Sequence, residues 1–312
     1  MENFNSKVLL FGEYSVISNH VALVMPCDQF RGQLNFFETT SQNTFASASN
    51  EYLKKFSRFI AARLDEHFVL EVKRLEYEIE RGLFFESNIP QGYGLGSSGA
   101  LVVAIFLRYL KKAREFKDEM KNLTWEKVQK LKDYLSQMES FFHGTSSGLD
   151  PLSIFINRPI LFKGDKQLTT VELPERKENG ENVIFLLNTG IPRSTSKLVN
   201  HFLKLYNEPD FKNKINMELV QYATDSIDSF LGEDTNHFYQ NLEKLSRFQF
   251  EEFKSFIPGT FHHLVQNGLD HGDYFLKLCG AGGGGYILGF ARNWDAAQEQ
   301  LKGHELDIIY RF

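Results

Sequence analysis

Cysteine is scarce in this chain of 312 residues: Cys27 and Cys279 offer no bridge framework and no pair at metal-ligand spacing. A reducing compartment is the expected setting, with both thiols acting as buried packing. Long apolar runs are also missing. The longest, Ala100 to Leu107, is far short of the ~20 residues that span a bilayer. The start of the chain has no basic segment followed by an apolar one, so a cytoplasmic protein with no membrane partner is expected. Positive charge is not in excess either. A formal net charge of -5 and a pI near 6.0 leave no basic footprint for nucleic acid, and small molecules become the favoured partners.

What the chain does have is a hydrophobic fraction of 42% and 30 Phe scattered at core-like positions, enough to bury a large core. Two domains are expected, 1–177 and 178–312, divided at the linker-like stretch Pro174–Gly180. The apolar run Lys7–Ile17, broken at Gly12, reads as two strands meeting at a turn. Glu51–Phe68 has helical spacing, Leu70–Ile79 reads as a strand, and Ala100–Leu110 reads as a helix buried all round with a charged exit over Lys111–Lys121. Trp125–Phe142 is a further helix and Phe155–Leu173 one or two hairpins. After Val183–Leu187, a strand, a helix is expected to start at Ser194-Thr195. The chain then closes with strands at Phe275–Cys279, Tyr286–Phe290 and Leu306–Tyr310.

Four segments could carry chemistry. In Pro90-Gln-Gly92-Tyr-Gly94-Leu95-Gly96-Ser97-Ser98-Gly99-Ala100, the glycines let the backbone approach a ligand, and a helix beginning at the serines offers unpaired amides to an anion. A plain turn capped by Ser97 is the bland alternative. Gly94-Leu-Gly96-Ser-Ser-Gly99 formally fits a dinucleotide fingerprint, but Asn88-Ile89-Pro90 before it is a poor strand. A Walker loop would need a lysine that does not follow, and a nucleophile elbow at Ser98 fails at Ala100.

The second segment is Glu139-Ser-Phe-Phe-His143-Gly144-Thr-Ser-Ser147-Gly148-Leu149-Asp150, where a tight turn aims Asp150 from a fixed loop. That carboxylate could accept a proton from an attacking hydroxyl, or could merely help the turn. The third is Lys277-Leu-Cys-Gly280-Ala281-Gly282-Gly283-Gly284-Gly285-Tyr286. Its five glycines in six positions each cost roughly 1 kcal/mol against alanine in a regular element, so a packing or ligand reason is expected. The fourth is Lys7, a lone cation at the start of an apolar strand.

In combination and in order, these segments resemble the kinase superfamily of galactokinase, homoserine kinase, mevalonate kinase and phosphomevalonate kinase. Pro90–Ala100 resembles its phosphate loop and Lys277–Tyr286 its third motif. Within the group, Lys7–Ile17, His143–Asp150 and Leu187–Thr195 are most similar to segments of the mevalonate kinases. The resemblance implies a two-lobed α+β fold, with the phosphate loop in the N-terminal lobe and a ferredoxin-like C-terminal lobe. It implies ATP and Mg2+ as cofactors and phosphorylation of a small-molecule hydroxyl, mevalonate first among the acceptors.

Carried over residue by residue, Asp150 would be the catalytic carboxylate, Lys7 its cationic partner, and Ser98 and Glu139 the magnesium ligands. Pro90, Gly92, Gly94, Leu95, Gly96, Ser97, Ser98 and Gly99 would hold the nucleotide. Glu13, Tyr14, His143, Ser147, Thr189, Arg193, Gly280, Ala281 and Gly282 would surround the acceptor. A homodimer is compatible with the resemblance. The alternatives are another kinase or the diphosphomevalonate decarboxylase of the same superfamily, or a metabolite-binding relative without catalysis. The departures from the family pattern are Asn5-Ser6, Tyr14 for histidine, Gly99 for alanine, Ser146 for proline, Pro151 for asparagine and Gly190 for lysine.

Overall fold

The computed structural model describes residues 2–312 except 19, 39–42, 64–69, 120–123, 145, 165–166 and 194. The chain runs β1 (Phe4–Phe11), β2 (Val21–Phe36), α1 (Thr44–Arg63), α2 (Val72–Glu80), β3 (Leu83–Ser87), α3 (Ser97–Tyr109), α4 (Ala113–Glu119), α5 (Trp125–His143) and α6 (Leu149–Ile156). It continues through β4 (Ile160–Lys163), β5 (Leu168–Thr170), β6 (Val183–Asn188), α7 (Thr195–Tyr206), α8 (Pro209–Lys214), α9 (Val220–Leu231), α10 (Thr235–Glu252) and α11 (His262–His271). It ends with β7 (Tyr274–Leu278), β8 (Tyr286–Ala291), α12 (Trp294–Gln300) and β9 (Leu306–Arg311). Among the described residues, no helix is long and apolar enough to cross a membrane.

Two compact units emerge. The first contains Met1–Lys7, Pro26–Gln91 and Leu95–Arg158; the second contains Val8–Met25, Gly92–Gly94 and Pro159–Phe312. The last change of unit falls between Arg158 and Pro159, and Pro174–Gly180 lies within the second.

In the first unit, α3 is buried on almost every side from Gly99 to Phe106, as its uninterrupted apolar sequence requires, and it packs on α5 and α6. Beside them, Gly32–Phe36 of β2 pairs antiparallel with β3, which α1 and α2 cover. Phe106 meets the rings of Phe116 and Tyr134, and Phe56 meets those of Phe141 and Phe142.

The second unit holds a four-stranded antiparallel sheet in the order β7-β8-β6-β9. In chain order this is a strand, a helical excursion, two strands, a helix and a strand, which is the ferredoxin-like arrangement. Every residue of β7 and β8 is buried, which explains their continuous apolar sequences. Phe11, Phe230, Phe238 and Phe290 form one aromatic core, so the abundant phenylalanine is indeed core filling.

Three expectations about local structure need correction. Leu70–Ile79 is not a strand: Leu75 and Ile79, four apart, are the buried positions of helix α2. Phe155–Leu173 is not wholly hairpin, because helix α6 reaches Ile156 before β4 and β5 pair. Gly148 in a left-handed conformation caps that helix, and Pro151 is tolerated in its first turn. Lys7–Ile17 is one strand followed by a 3-10 turn, Ser15–Ser18, and the next strand starts only at Val21. The expected helix from Glu51 begins earlier, at Thr44, and its expected end at 64–68 lies outside the described residues.

Candidate active site

The first unit gathers four of the residues singled out in the sequence. β1 delivers Lys7, whose N–H donates to Leu95 O at 3.1 Å and so ties the strand to the glycine-rich turn. Gly96, at φ +81°, is the residue before α3, and a Cβ there would meet Ile154 Cδ1 at 3.0 Å and Lys7 Cγ at 3.2 Å. The residue before α3 is a glycine with no side chain to cap it, and the positive end of the helix dipole faces this turn. Ser97 and Ser98 open the helix, as the sequence suggested.

The Nζ of Lys7 stands 2.8 Å from Oδ1 of Asp150. The lysine side chain is 8% exposed and the aspartate side chain 42%, so a buried cation holds a carboxylate that solvent or a ligand can reach. Asp150 lies in the first turn of α6. There α6 approaches α3 so closely that a Cβ on Gly99 would come within 3.0 Å of Pro151 N and 3.2 Å of the Asp150 carbonyl carbon. Two departures from the family pattern, Gly99 and Pro151, therefore meet at the point where the two helices touch.

Glu139, on α5, is buried, and its Oε1 accepts from Ser98 Oγ at 3.0 Å. Its Oε2 accepts from Ser146 Oγ at 2.5 Å, while Ser146 Oγ accepts from Gly148 N at 2.9 Å. The sequence flagged Ser146 only as a departure; its hydroxyl reaches back seven residues to Glu139, a contact the spacing did not single out. Burial, and then the charge of Asp150, push the Glu139 carboxyl up to about 7 despite these hydroxyls and Lys7. A buried carboxylate beside two hydroxyls, short of positive charge, is a hard-oxygen donor set that fits Mg2+. Among the described residues no cluster of three or more His, Cys, Asp or Glu could hold a metal alone, so such an ion would need oxygens from a phosphate and water as well.

The second unit gathers most of the rest. Glu13 and Lys277 form a fully buried ion pair at 2.5 Å. Burial raises the Glu13 carboxyl, and Lys277 opposes that rise. Tyr14, at φ +65°, donates from its hydroxyl to Ala281 O at 2.7 Å, and its ring stacks on Phe202 with centroids 4.4 Å apart. Thr189 Oγ1 donates to Gly285 O at 2.7 Å, and Arg193 Nη1 donates to Cys279 O at 2.7 Å. The Arg193 guanidinium also lies against Gly94, where a Cβ would stand 1.9 Å from Nη2. Gly280, Gly282, Gly283, Gly284 and Gly285 all have positive φ, and at Gly282 and Gly284 a Cβ would strike backbone at 2.5 and 2.3 Å. That is the packing reason the sequence demanded.

Of the other expected site residues, Ser147 is exposed and its Oγ accepts from Leu149 N at 3.3 Å. Pro90 is half-buried and Gly92 exposed, and the side chain of His143 lies outside the described residues. Lys277 was not singled out as the partner of Glu13, although the motif that begins with it was noted.

Residues 51–157 match the family model of the GHMP kinases N terminal domain. The chain is 28% identical over 308 residues to a mevalonate kinase of Thermococcus sibiricus, spanning 92% of this chain and 87% of that protein. Against the mevalonate kinase of Bos taurus it is 29% identical over 219 residues, or 64% of this chain and 52% of the relative. The chain thus spans about half the length of the mammalian relatives it matches. Among solved structures, L. major mevalonate kinase with R-mevalonate superposes at a TM-score of 0.66 and 18% identity, covering 98% of this chain and 94% of that one. Lactococcus lactis galactokinase with galactose superposes at 0.61 and 14%, covering 99% and 93%.

Proposed function

We propose that the protein is an ATP-dependent small-molecule kinase, a reading supported by the match of residues 51–157 to the GHMP kinases N terminal domain and by the likeness of the whole chain to the fold of these kinases. The observation that carries the proposal is the Lys7–Asp150 pair beside the glycine-rich start of α3. An acceptor hydroxyl oxygen attacks the γ-phosphorus of ATP, and the bond from that phosphorus to the bridging oxygen of ADP breaks. The hydroxyl proton passes to a carboxylate oxygen of Asp150. Lys7 keeps that carboxylate aimed and adds positive charge near the transferred group. Amides of Gly96–Gly99 and the helix dipole bind the phosphates, so positioning and charge neutralisation supply most of the effect, as a loose phosphoryl-transfer transition state requires. Glu139 and Ser98, with the Ser146 hydroxyl behind Glu139, would hold Mg2+, which when bound neutralises phosphate charge.

Mevalonate is the acceptor that the similarity to mevalonate kinases favours, at its primary hydroxyl. The test is ADP release with mevalonate, phosphomevalonate, diphosphomevalonate, homoserine and galactose. Turnover is expected with mevalonate. A different productive acceptor would overturn the substrate assignment alone, and ADP with carbon dioxide from diphosphomevalonate would indicate the decarboxylase. No turnover with any of the five would sink the kinase reading and leave a binding-only relative.

A further inference from the structure

Four of the six residues expected around the acceptor from outside the glycine run contact that run or the residues leading into it. Lys277 holds Glu13, Cys279 O accepts from Arg193, Ala281 O accepts from Tyr14, and Gly285 O accepts from Thr189. Thr189 N also donates to Gly285 O at 2.9 Å, and Gly285 N donates to Ile191 O at 2.7 Å. From a third direction Gln249 Oε1, on α10, accepts from Leu278 N at 2.8 Å. Every one of these residues belongs to the second unit. A run with five glycines in six positions has few side chains of its own to fix it, so its conformation depends on what grips its carbonyls.

Tyr14 is the most telling of the four. It is 4% exposed, with its ring stacked on Phe202 and within 5.3 Å of the ring centroids of both Phe253 and Phe256, and its hydroxyl proton is already committed to Ala281 O. A bulky residue held at φ +65° is a strained conformation that persists only where the surroundings over-determine it. A side chain so enclosed has no free donor to offer an acceptor molecule.

We propose that Glu13, Tyr14, Thr189 and Arg193 are positioning residues that act through the Gly280–Gly285 run, with Tyr14 as its central pin, rather than groups that touch the phosphoryl acceptor. The proposal rests on the kinase reading for its catalytic consequence but not for its structural content.

The decisive experiment pairs amide hydrogen exchange with steady-state kinetics on the full chain, comparing wild type with Tyr14→Phe and, on a different element, Thr189→Val. Each variant removes one hydroxyl grip with little change in shape. Exchange at residues 279–285 is expected to quicken about tenfold in both, a typical effect of losing one hydrogen bond. The acceptor KM should stay within about twofold while kcat falls about tenfold, the pattern of a mispositioned site rather than of a lost substrate contact. Unchanged exchange at 279–285 in both variants would overturn the proposal, and so would a large rise in acceptor KM with exchange unaltered. If the wild type transfers phosphoryl groups to nothing, the kinase reading fails, and the exchange measurement still decides whether these residues hold the run.

Discussion

Lys7 and Asp150 are 143 positions apart and come from different kinds of element, a strand and the first turn of a helix, yet their charged atoms lie 2.8 Å apart. The lysine is enclosed and the aspartate is half open, so the cation orients the carboxylate without blocking it. Replacing Asp150 with Asn is expected to lower turnover by roughly 10²-fold or more, as loss of a positioned base does. Lys7→Met should cost a similar factor, and the double variant much less than the product of the two, because the pair acts as a unit. Additive losses in an ADP-release assay would show that the two residues work independently.

Glu139 makes a pH-dependent contribution to folding. Its carboxyl is raised from 4.5 to about 7, so the folded protein binds this proton more tightly than the unfolded chain. The stabilisation is complete below the unfolded value and is lost as pH rises through about 7; at about 1.4 kcal/mol per pKa unit the loss is on the order of 3 kcal/mol. Glu139→Gln, which cannot ionise, should therefore unfold at about the same denaturant concentration as wild type at pH 4.5 and at a clearly higher one at pH 8, without added metal. A stability difference that does not change with pH would contradict this account.

Gly99 is helical, so its lack of a side chain answers to space rather than to backbone angle. A methyl group would press on the Asp150–Pro151 backbone at 3.0 to 3.2 Å, forcing a shift of a few tenths of an ångström where the carboxylate is carried. Gly99→Ala is expected to leave thermal stability within a few degrees of wild type, since alanine favours the helix by about 1 kcal/mol and offsets the crowding. Turnover should nonetheless fall about tenfold or more, because reaction geometry tolerates little displacement. Full activity in the alanine variant would mean that the helices separate without moving Asp150.

The Glu13–Lys277 pair is fully buried, and removing either charge alone strands the other in the interior. Lys277→Met is expected to destabilise the protein by about 3–5 kcal/mol in urea unfolding. Adding Glu13→Gln should recover a substantial part of that loss, because no buried charge then lacks its partner. If the double variant is no more stable than Lys277→Met, the loss lies in packing and not in the stranded carboxylate.

The sequence alone made legible those features whose cause is local. The all-round apolar character of Ala100–Phe106 required a buried helix, and the apolar runs at Val183, Phe275 and Tyr286 required buried strands. The glycine-rich turn before Ser97 required a close-approach loop at a helix start, and all three are present. Motif order along the chain was enough to suggest the resemblance to these kinases and to nominate Lys7, Ser98, Glu139 and Asp150. Their assembly was decided by tertiary structure, since α3, α5, α6 and β1 must pack before these side chains meet. The same is true of Ser146 on Glu139, of Gly99 under Pro151, and of Tyr14 on Ala281. The last two depend on the distance between elements remote in sequence, and the first on how the chain folds back after α5; no residue pattern encodes those distances.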